Sequence, residues 1–484
     1  MKRTALAALG ALFLAGAPGL HAQDTAAPGA QSATQTAGQA ALKLPQAEVE
    51  RLLEAYALIK QNYVGEADDR TLFDGALSGM LTALDAHSRY LDKDALRDVA
   101  RENSGEYVGI GIEVEGNRDQ LRVVAASEGS PAERAGIKAG DVIVAVDGAP
   151  VAGMANDDVG RRMHGAPGTV VALGVARRNR IETLRITRAE VHNDTVRVRM
   201  AAAGVAWIRI AEFGGATPAD LAAALKTLDG KDAPRGLILD LRNDPGGLVS
   251  TGVAVAGAFL PPGTVLFSAR GREAGANATV TVDPRYYRQP DQPDALAGLP
   301  AWTRTVPLTV LVNGSSASAA ELVTGALQDH HRATVIGTRT FGKGSIQSVI
   351  PLSADSAVKF TVARYFTPGG HEIQARGIVP DVVVAPAVAA DDDLLLREAD
   401  LAKHLPATQP LDAAPDAQRE PVESTRAFGT RDDKALQAAL AVLAPGDKRT
   451  STLAGLLRKL GGAAKPPAAL AGGGGGAVAA AGAP

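Results

Sequence analysis

The chain has 484 residues, 46% of them apolar, with a net charge of −3 and no cysteine. Its length exceeds what one hydrophobic core supports and points to two or three domains, while the lack of any long basic run argues against a nucleic-acid partner. The absence of cysteine excludes disulfides, a thiol nucleophile, a thiolate-held metal and a lipidated N-terminal cysteine.

The first residues, MKRTALAALGALFLAGAPGLHA, place Lys2 and Arg3 ahead of an apolar stretch from Ala5 to Ala17 and put a small residue, Ala22, before Gln23. This order predicts a secretory signal peptide over residues 1–22, because the apolar stretch is shorter than the roughly 20 residues of a spanning helix. Left uncut, it would anchor the chain to a membrane. An exported chain without disulfides must be held by its packed cores alone. Residues 23–44, rich in Ala, Gln and Thr and nearly uncharged, read as a flexible linker. Over 45–104 the pattern turns helical: Val49, Leu52, Leu53, Tyr56 and Ile59 recur at helical spacing, and TLFDGALSGMLTALD follows.

Between residues 105 and 190 the chain breaks into short β-like runs, YVGIGIEVE, LRVVAAS, DVIVAVDG, VVALGVAR and LRITRA, separated by turn signals such as GSP, KAGD and APGT. In YVGIGIEV a glycine turn feeds a strand. Backbone amides near Gly109, Ile110 and Gly111 can therefore cup a terminal carboxylate while the strand edge pairs with a peptide. The same glycines fit an ordinary hairpin. A dinucleotide loop is ruled out, since Val114 stands where the third glycine of G-x-G-x-x-G belongs.

From Val205 strands and helices alternate: AWIRI, TPADLAAALKTLD, GLILDLR, a glycine turn with TGVAVAGAF, TVPLTVLVNG, SAAELVTGALQDH and ATVIG. That alternation predicts an α/β layered core over 191–390. Two helix-like segments, DDDLLLREADLAKHL and DKALQAALAVL, make up an extension over 391–460, and the low-complexity residues 461–484 are expected to be disordered.

Three chemistries compete for residues 307–350. GTRTFGKG approaches the phosphate-loop pattern, but Gly344 replaces the Mg²⁺-binding hydroxyl and the strand-like SIQSVIPL follows where a helix is required. A serine hydrolase with a histidine base lacks the G-x-S-x-G elbow, and a helix of about twelve residues carries His330 and His331 about 18 Å from Ser318. His87 and His371 stand in loop-like contexts that the sequence does not connect to Ser318. The third is a Ser/Lys pair. Ser318 falls at a strand-to-helix junction, where a hydroxyl is exposed beside unpaired N–H groups, and the Ala319 amide can meet an oxyanion there. Lys343, between Gly342 and Gly344, becomes a base only if burial lowers its pKa from ~10.4 to roughly 7–8. Gln347 shares its face, and its amide oxygen can hold the lysine amine. Taken alone, the pair equally fits a surface lysine and turn serines.

Further segments carry more. GMLTALDAHSRYL, SPAERAGIKAGDVIVAVDG, LILDLRNDPGGL, NGSSASAAELVTGALQDHHRA, GTRTFGKGSIQ and YFTPGGHEIQARGIVPDV resemble, in this order, segments of the bacterial carboxyl-terminal processing peptidases, the tail-specific proteases of serine peptidase family S41. The resemblance implies a multidomain α+β protein: an α/β layered protease core, an inserted β-rich PDZ domain over 105–190, and flanking helical segments. It implies Ser318 as nucleophile, Lys343 as base and Gln347 as the residue positioning the lysine, with Ser315 and Ser316 as turn residues. The oxyanion hole would be Ala319 with Gly246 or Gly247. The PDZ carboxylate site would be formed by Tyr107, Val108, Gly109, Ile110, Gly111 and Ile112. Ser315, Ala320 and Asp244 depart from the usual family residues and are expected to touch none of the catalytic groups.

The expected activity is that of an exported, periplasmic endopeptidase that needs no metal or cofactor and acts on proteins with exposed C-terminal tails. The PDZ domain would gate access, and the flanking helices would serve a homodimer, a higher oligomer or an adaptor protein. A PDZ scaffold with an idle protease core is the rival of a different class. The intact Ser318, Lys343 and Gln347 set speaks against it.

Overall fold

The computed structural model describes residues 45–384, apart from 105, 118–119, 127–129, 138–140, 153, 155, 178–179, 193–194, 231–232 and 289–291, together with residues 397–409 and 428–444. The expected signal peptide, linker and terminal tail lie outside the described residues.

The α/β core is a sheet of strands Val205–Ile210, Gly236–Asp240, Leu308–Val312, Ala333–Gly337 and Val382–Val383, parallel and in that spatial order, with Val196–Ala202 antiparallel at one edge. Parallel strands need covering on both faces, which is why VAWIRI, GLILD and LTVLV are buried at every position. Side chains alternate between the faces and so sort into two cores. Ala206, Ile208, Leu237, Leu239, Val310 and Val312 meet the helices Thr217–Thr227, Val249–Gly257 and Ala319–Asp329. Trp207, Ile238, Leu311 and Ile336 meet the helix Lys434–Val442 on the opposite face.

A second sheet runs Arg89–Leu91, Ser356–Phe366, Val265–Gly271, Ala278–Thr281, with Ser345–Ser353 paired to Ser356–Phe366. The β-rich insert has its own sheet, Ile112–Asn117, Gln120–Ala126, Val142–Val146, Val170–Arg177 and Arg180–Thr187, around a core that includes Val123, Ile143, Leu173 and Ile186. The chain enters and leaves this domain through an antiparallel ribbon, Glu106–Gly109 against Ala189–His192. Ile112–Asn117 is an edge strand, paired among the described residues with Gln120–Ala126 alone.

The two helix-like segments of the C-terminal extension differ in outcome. Lys434–Val442 is a helix, whereas the described part of the other, from Arg397, forms a 3-10 turn Glu398–Asp400 and then irregular chain. Buried polar demand explains the difference: Glu398 is fully buried and its backbone N–H donates to Phe341 O at 3.2 Å, so tertiary bonds replace a helical repeat.

Arg242 joins the last helix to the core. Its guanidinium, 1% exposed, bonds Asp240 at 2.9 and 2.6 Å and Asp433 at 3.0 and 2.7 Å, with the Phe428 ring 3.8 Å away. Asp433 also accepts the Leu436 N–H at 3.0 Å, capping the helix it precedes. Removing one partner of a buried ion pair leaves an uncompensated charge and costs about 3–5 kcal/mol. Asp433→Ala is therefore expected to lower unfolding stability by that amount in denaturant titration, against a much smaller loss for Asp432→Ala on the exposed side of the same turn.

Candidate active site

Three loops converge at the C-terminal ends of the core strands. The turn Asn313–Ser318 follows the strand Leu308–Val312, the turn Asn243–Gly247 follows Gly236–Asp240, and residues 338–344 lie between Ala333–Gly337 and Ser345–Ser353. Side-chain bonds lock the first two together. Asn313 Oδ1 accepts the Asn243 N–H at 2.9 Å and Asn313 Nδ2 donates to Asn243 Oδ1 at 2.6 Å. The Ser316 hydroxyl donates to Leu241 O at 2.7 Å and accepts the Asn313 N–H at 3.0 Å, and Ser315 N–H donates to Asn313 Oδ1. Ser315 and Ser316 thus stand in the turn as expected, with the Ser316 hydroxyl spent on structure.

Ser318 is the N-cap of helix Ala319–Asp329 and is half-buried, at φ 53° and ψ −114°. This is a backbone region that L-residues rarely occupy, at a cost of order 1–3 kcal/mol that the surroundings must meet. Glu321, one turn into the helix and fully buried, supplies much of that support. Its Oε2 accepts the Ser318 N–H at 2.9 Å and the Lys343 N–H at 2.8 Å; its Oε1 accepts the Gly342 N–H at 2.7 Å and the Thr340 hydroxyl. The Ser318 and Lys343 amides therefore share one oxygen, and their nitrogens are no farther apart than the two bonds laid end to end. Phe341 N–H adds a direct bond to Ser316 O at 3.0 Å. Lys343 is half-buried.

Sequence reasoning missed Glu321. The serine three residues before it completes a capping-box pattern, which was the available signal.

Gly246, at φ 91°, packs directly on the serine turn: a methyl group there would lie 2.7 Å from Ala317 O and 2.8 Å from both Ala319 N and Ser318 Cβ. Its amide is committed to Asp244 Oδ1 at 2.8 Å. Gly247 bridges Phe213 through its neighbours, Phe213 N–H to Gly246 O and Leu248 N–H to Phe213 O, so its own N–H points the other way. The amides of Gly247 and Ala319 have no hydrogen-bond partner among the described residues. Asp244, expected to touch none of the catalytic groups, bonds the amide of Gly246, one of the two candidate oxyanion glycines. Besides binding Gly246, its carbonyl accepts the Ala317 N–H at 2.9 Å, and burial pushes its carboxyl well above the ordinary range. Its Oδ2 has no partner among the described residues.

Gln347 Nε2 donates to Ser345 Oγ at 2.9 Å and to Thr361 Oγ1 at 3.3 Å. The strand Ser345–Ser353 opens immediately after Gly344, so GTRTFGKG cannot be a phosphate loop. His330 caps the far end of the serine's helix, with its Nε2 against Val265 O at 2.6 Å, and His331 follows it; neither ring is near the serine end. In the β-rich domain Gly109, Ile110 and Gly111 are buried just before the edge strand, and Ile110 O accepts the Ala132 N–H at 2.8 Å. Tyr107 and Val108 lie in the ribbon strand Glu106–Gly109, and Ile112 opens the edge strand.

The profile of peptidase family S41 matches residues 204–384, that of the PDZ domain residues 122–177, and that of the activating protease CtpB N-terminal domain residues 10–95. The chain is 36% identical over 373 residues to a carboxy-terminal-processing protease of Bartonella bacilliformis, covering 75% of this chain and 82% of the relative. It is 35% identical over 344 residues to a probable CtpA-like serine protease of Staphylococcus aureus, covering 71% and 66%. Among solved structures it is similar to the photosystem II D1 C-terminal processing protease, at 31% identity and a TM-score of 0.47, over 70% of this chain and 93% of that one. The class is a serine-type peptidase with a PDZ domain. Within that class, the chain belongs to the carboxy-terminal-processing protease family.

Four expectations follow from this geometry. Burial raises the Glu321 carboxyl from 4.5 to about 7, against the opposing pull of its Thr340, Gly342, Ser318 and Lys343 bonds. All four contacts are donors, so the site as built needs the carboxylate. Activity on an unfolded protein is expected to rise with pH through an apparent pKa near 7. Stability moves oppositely: the folded value exceeds the unfolded one, so this group's contribution is full below 4.5 and is lost as pH rises to about 7. Glu321→Gln, which turns an amide donor onto backbone N–H groups, is expected to reduce turnover by as much as ~10²-fold, the effect of misplacing reacting groups by about an ångström. Gly246→Ala should do the same while remaining soluble, as read by turnover alongside circular dichroism.

Proposed function

We propose that this peptidase works by a Ser318/Lys343 dyad. The single observation that carries the reading is the shared Glu321 oxygen, which ties the Ser318 amide to the Lys343 amide. The neutral Lys343 amine takes the Ser318 Oγ proton as the oxygen attacks a peptide carbonyl carbon. The amides of Ala319 and Gly247 receive the oxyanion, a choice supported by the commitment of the Gly246 amide to Asp244. Collapse of the tetrahedral intermediate expels the amine, which leaves with the proton from the Lys343 ammonium. Neutral Lys343 then takes a proton from water as the water oxygen attacks the acyl-enzyme carbonyl, and collapse frees the new carboxyl terminus and expels Ser318 Oγ, which recovers its proton from the Lys343 ammonium. With Gln347 Nε2 held by Ser345 and Thr361, its amide oxygen remains to accept a hydrogen bond from the Lys343 amine.

The substrates we propose are proteins with exposed C-terminal tails. A tail would add to the free edge of Ile112–Asn117 with its carboxylate over the amides of Gly109, Ile110 and Gly111. The ribbon of Glu106–Gly109 and Ala189–His192, carrying the domain on two strands, suits a gate. The N-terminal sequence supports export to the periplasm. The helix Gln46–Asn62, with no buried residue and with Leu52, Leu53 and Leu58 exposed, supports pairing with a second copy or an adaptor.

Ser318→Ala and Lys343→Ala are each expected to abolish cleavage of casein while leaving the circular dichroism spectrum unchanged, and a chelator should have no effect. Full activity in either variant would overturn the dyad. Amidation of a peptide's C-terminus should raise KM with little change in kcat.

A further inference from the structure

The motif Asp85-Ala86-His87-Ser88 lies far from Ser318 and Lys343 in sequence, and the mechanism above makes no use of it. In the folded chain it touches the supports of the lysine along two routes. His87 Nε2 lies 2.8 and 3.0 Å from the two carboxylate oxygens of Glu398. Gln374 Nε2 donates to Glu398 Oε1 at 2.8 Å, and Gln374 Oε1 accepts the N–H of Gly344, the residue after Lys343, at 3.0 Å. Glu398 N–H donates to Phe341 O, so the same residue grips the lysine turn at its start as well. Glu398 and Gln374 are both fully buried, and the His87 side chain is 17% exposed.

The second route passes through Ser88. Its hydroxyl donates to Asp85 Oδ2 at 2.9 Å and accepts the Thr361 N–H at 3.3 Å, and Thr361 Oγ1 in turn receives Gln347 Nε2. Asp85 Oδ1 fixes the motif by accepting the amides of His87 and Ser88, each at 2.9 Å.

A buried carboxylate is costly unless its oxygens are occupied by donors. If His87 withdraws, Glu398 loses a partner at both oxygens and keeps the Gln374 Nε2 bond at Oε1. Gln374 transmits a shift of Glu398 directly, because its two ends bind Glu398 and Gly344. Gly344 has no slack to absorb it: a methyl group there would lie 2.8 Å from Gln374 Cα, so the two backbones are already in contact.

We infer that His87 is a positioning residue for the peptidase reaction, acting through the Glu398 carboxylate and the Gln374 side-chain amide on the Gly344 amide and hence on the turn that carries Lys343. The inference rests on the Ser318/Lys343 reading. It makes His87 neither nucleophile nor base. By the same contacts the C-terminal segment around Glu398 clamps the N-terminal helical region to the catalytic turn, with Lys403 Nζ donating to Thr82 O at 2.9 Å as a second tie.

The test compares His87→Ala, His87→Gln, Gln374→Ala, the double variant His87→Ala/Gln374→Ala and Lys343→Ala in the full chain. Each is assayed for kcat and KM on a peptide substrate below its melting temperature. A glutamine side-chain nitrogen can reach the place of the imidazole Nε2 and donate to Glu398, but cannot shuttle a proton at neutral pH. The expected result is a kcat loss of roughly ten- to a hundredfold in His87→Ala with KM within about twofold, recovery of most of it in His87→Gln, and a double variant no worse than the poorer single one. A His87→Gln variant that folds yet is as inactive as His87→Ala would overturn the inference in favour of proton transfer by the ring. Full activity in His87→Ala, or losses that multiply in the double variant, would overturn it too. The dyad is judged separately: an inactive Lys343→Ala beside a fully active His87→Ala leaves the dyad standing and removes this inference alone. An active Lys343→Ala removes both.

Discussion

One buried carboxylate holds the site together. Glu321 reaches back along its own helix to the Ser318 amide and sideways to Thr340, Gly342 and Lys343, so two loops that enter from different strands end on the same pair of oxygens. The cost of burying that charge is offset only while all its donors are present. This makes the arrangement close to all-or-none: a loop that strays leaves a charge unsolvated, and the penalty returns it. The unusual backbone of Ser318 persists for the same reason. A turn held from its amide and from both flanking segments can keep a conformation that local preference would reject.

The remaining buried polar groups repeat this logic outward from the centre. Asn313 and Asn243 pair reciprocally, Ser316 bridges to Leu241, and Asp244 ties the glycine turn to Ala317. Farther out, Asp433 completes the shell of Arg242, and Glu398 takes up Gln374 and His87. The C-terminal extension therefore contributes little to the main apolar core between the sheet and its three helices, and much to the polar underside of the catalytic loops. With no cysteine in the chain, buried ion pairs and amide networks do the cross-linking that disulfides perform in other proteins.

Much of the fold was legible because burial writes itself into periodicity. Core strands covered on both faces read as unbroken apolar runs, and VAWIRI, GLILD and LTVLV do so. The helix starting at Ser318 could be read from its small and apolar residues, as could the strand after Gly344 that disposes of the phosphate loop. The segment around Glu398 misled for a definite reason. LLLREADLAKHL has helical spacing, but its glutamate is drawn into a distant polar network, and tertiary hydrogen bonds outweigh propensity there.

The sequence by itself determined the alternating strands and helices of the layered core, the glycine-flanked lysine, the serine at a helix start and, through motif order, the family. Only the tertiary structure decided which amide of the two-glycine turn is committed to Asp244, that Glu321 unites the serine and lysine loops, and that Asp85 to Ser88 bears on the lysine turn from outside. The physical reason is range. Apolar periodicity is a local signal carried by neighbouring residues, whereas a buried hydrogen bond depends on where a partner arrives in space. The partners here are 22, 191 and 311 positions apart along the chain.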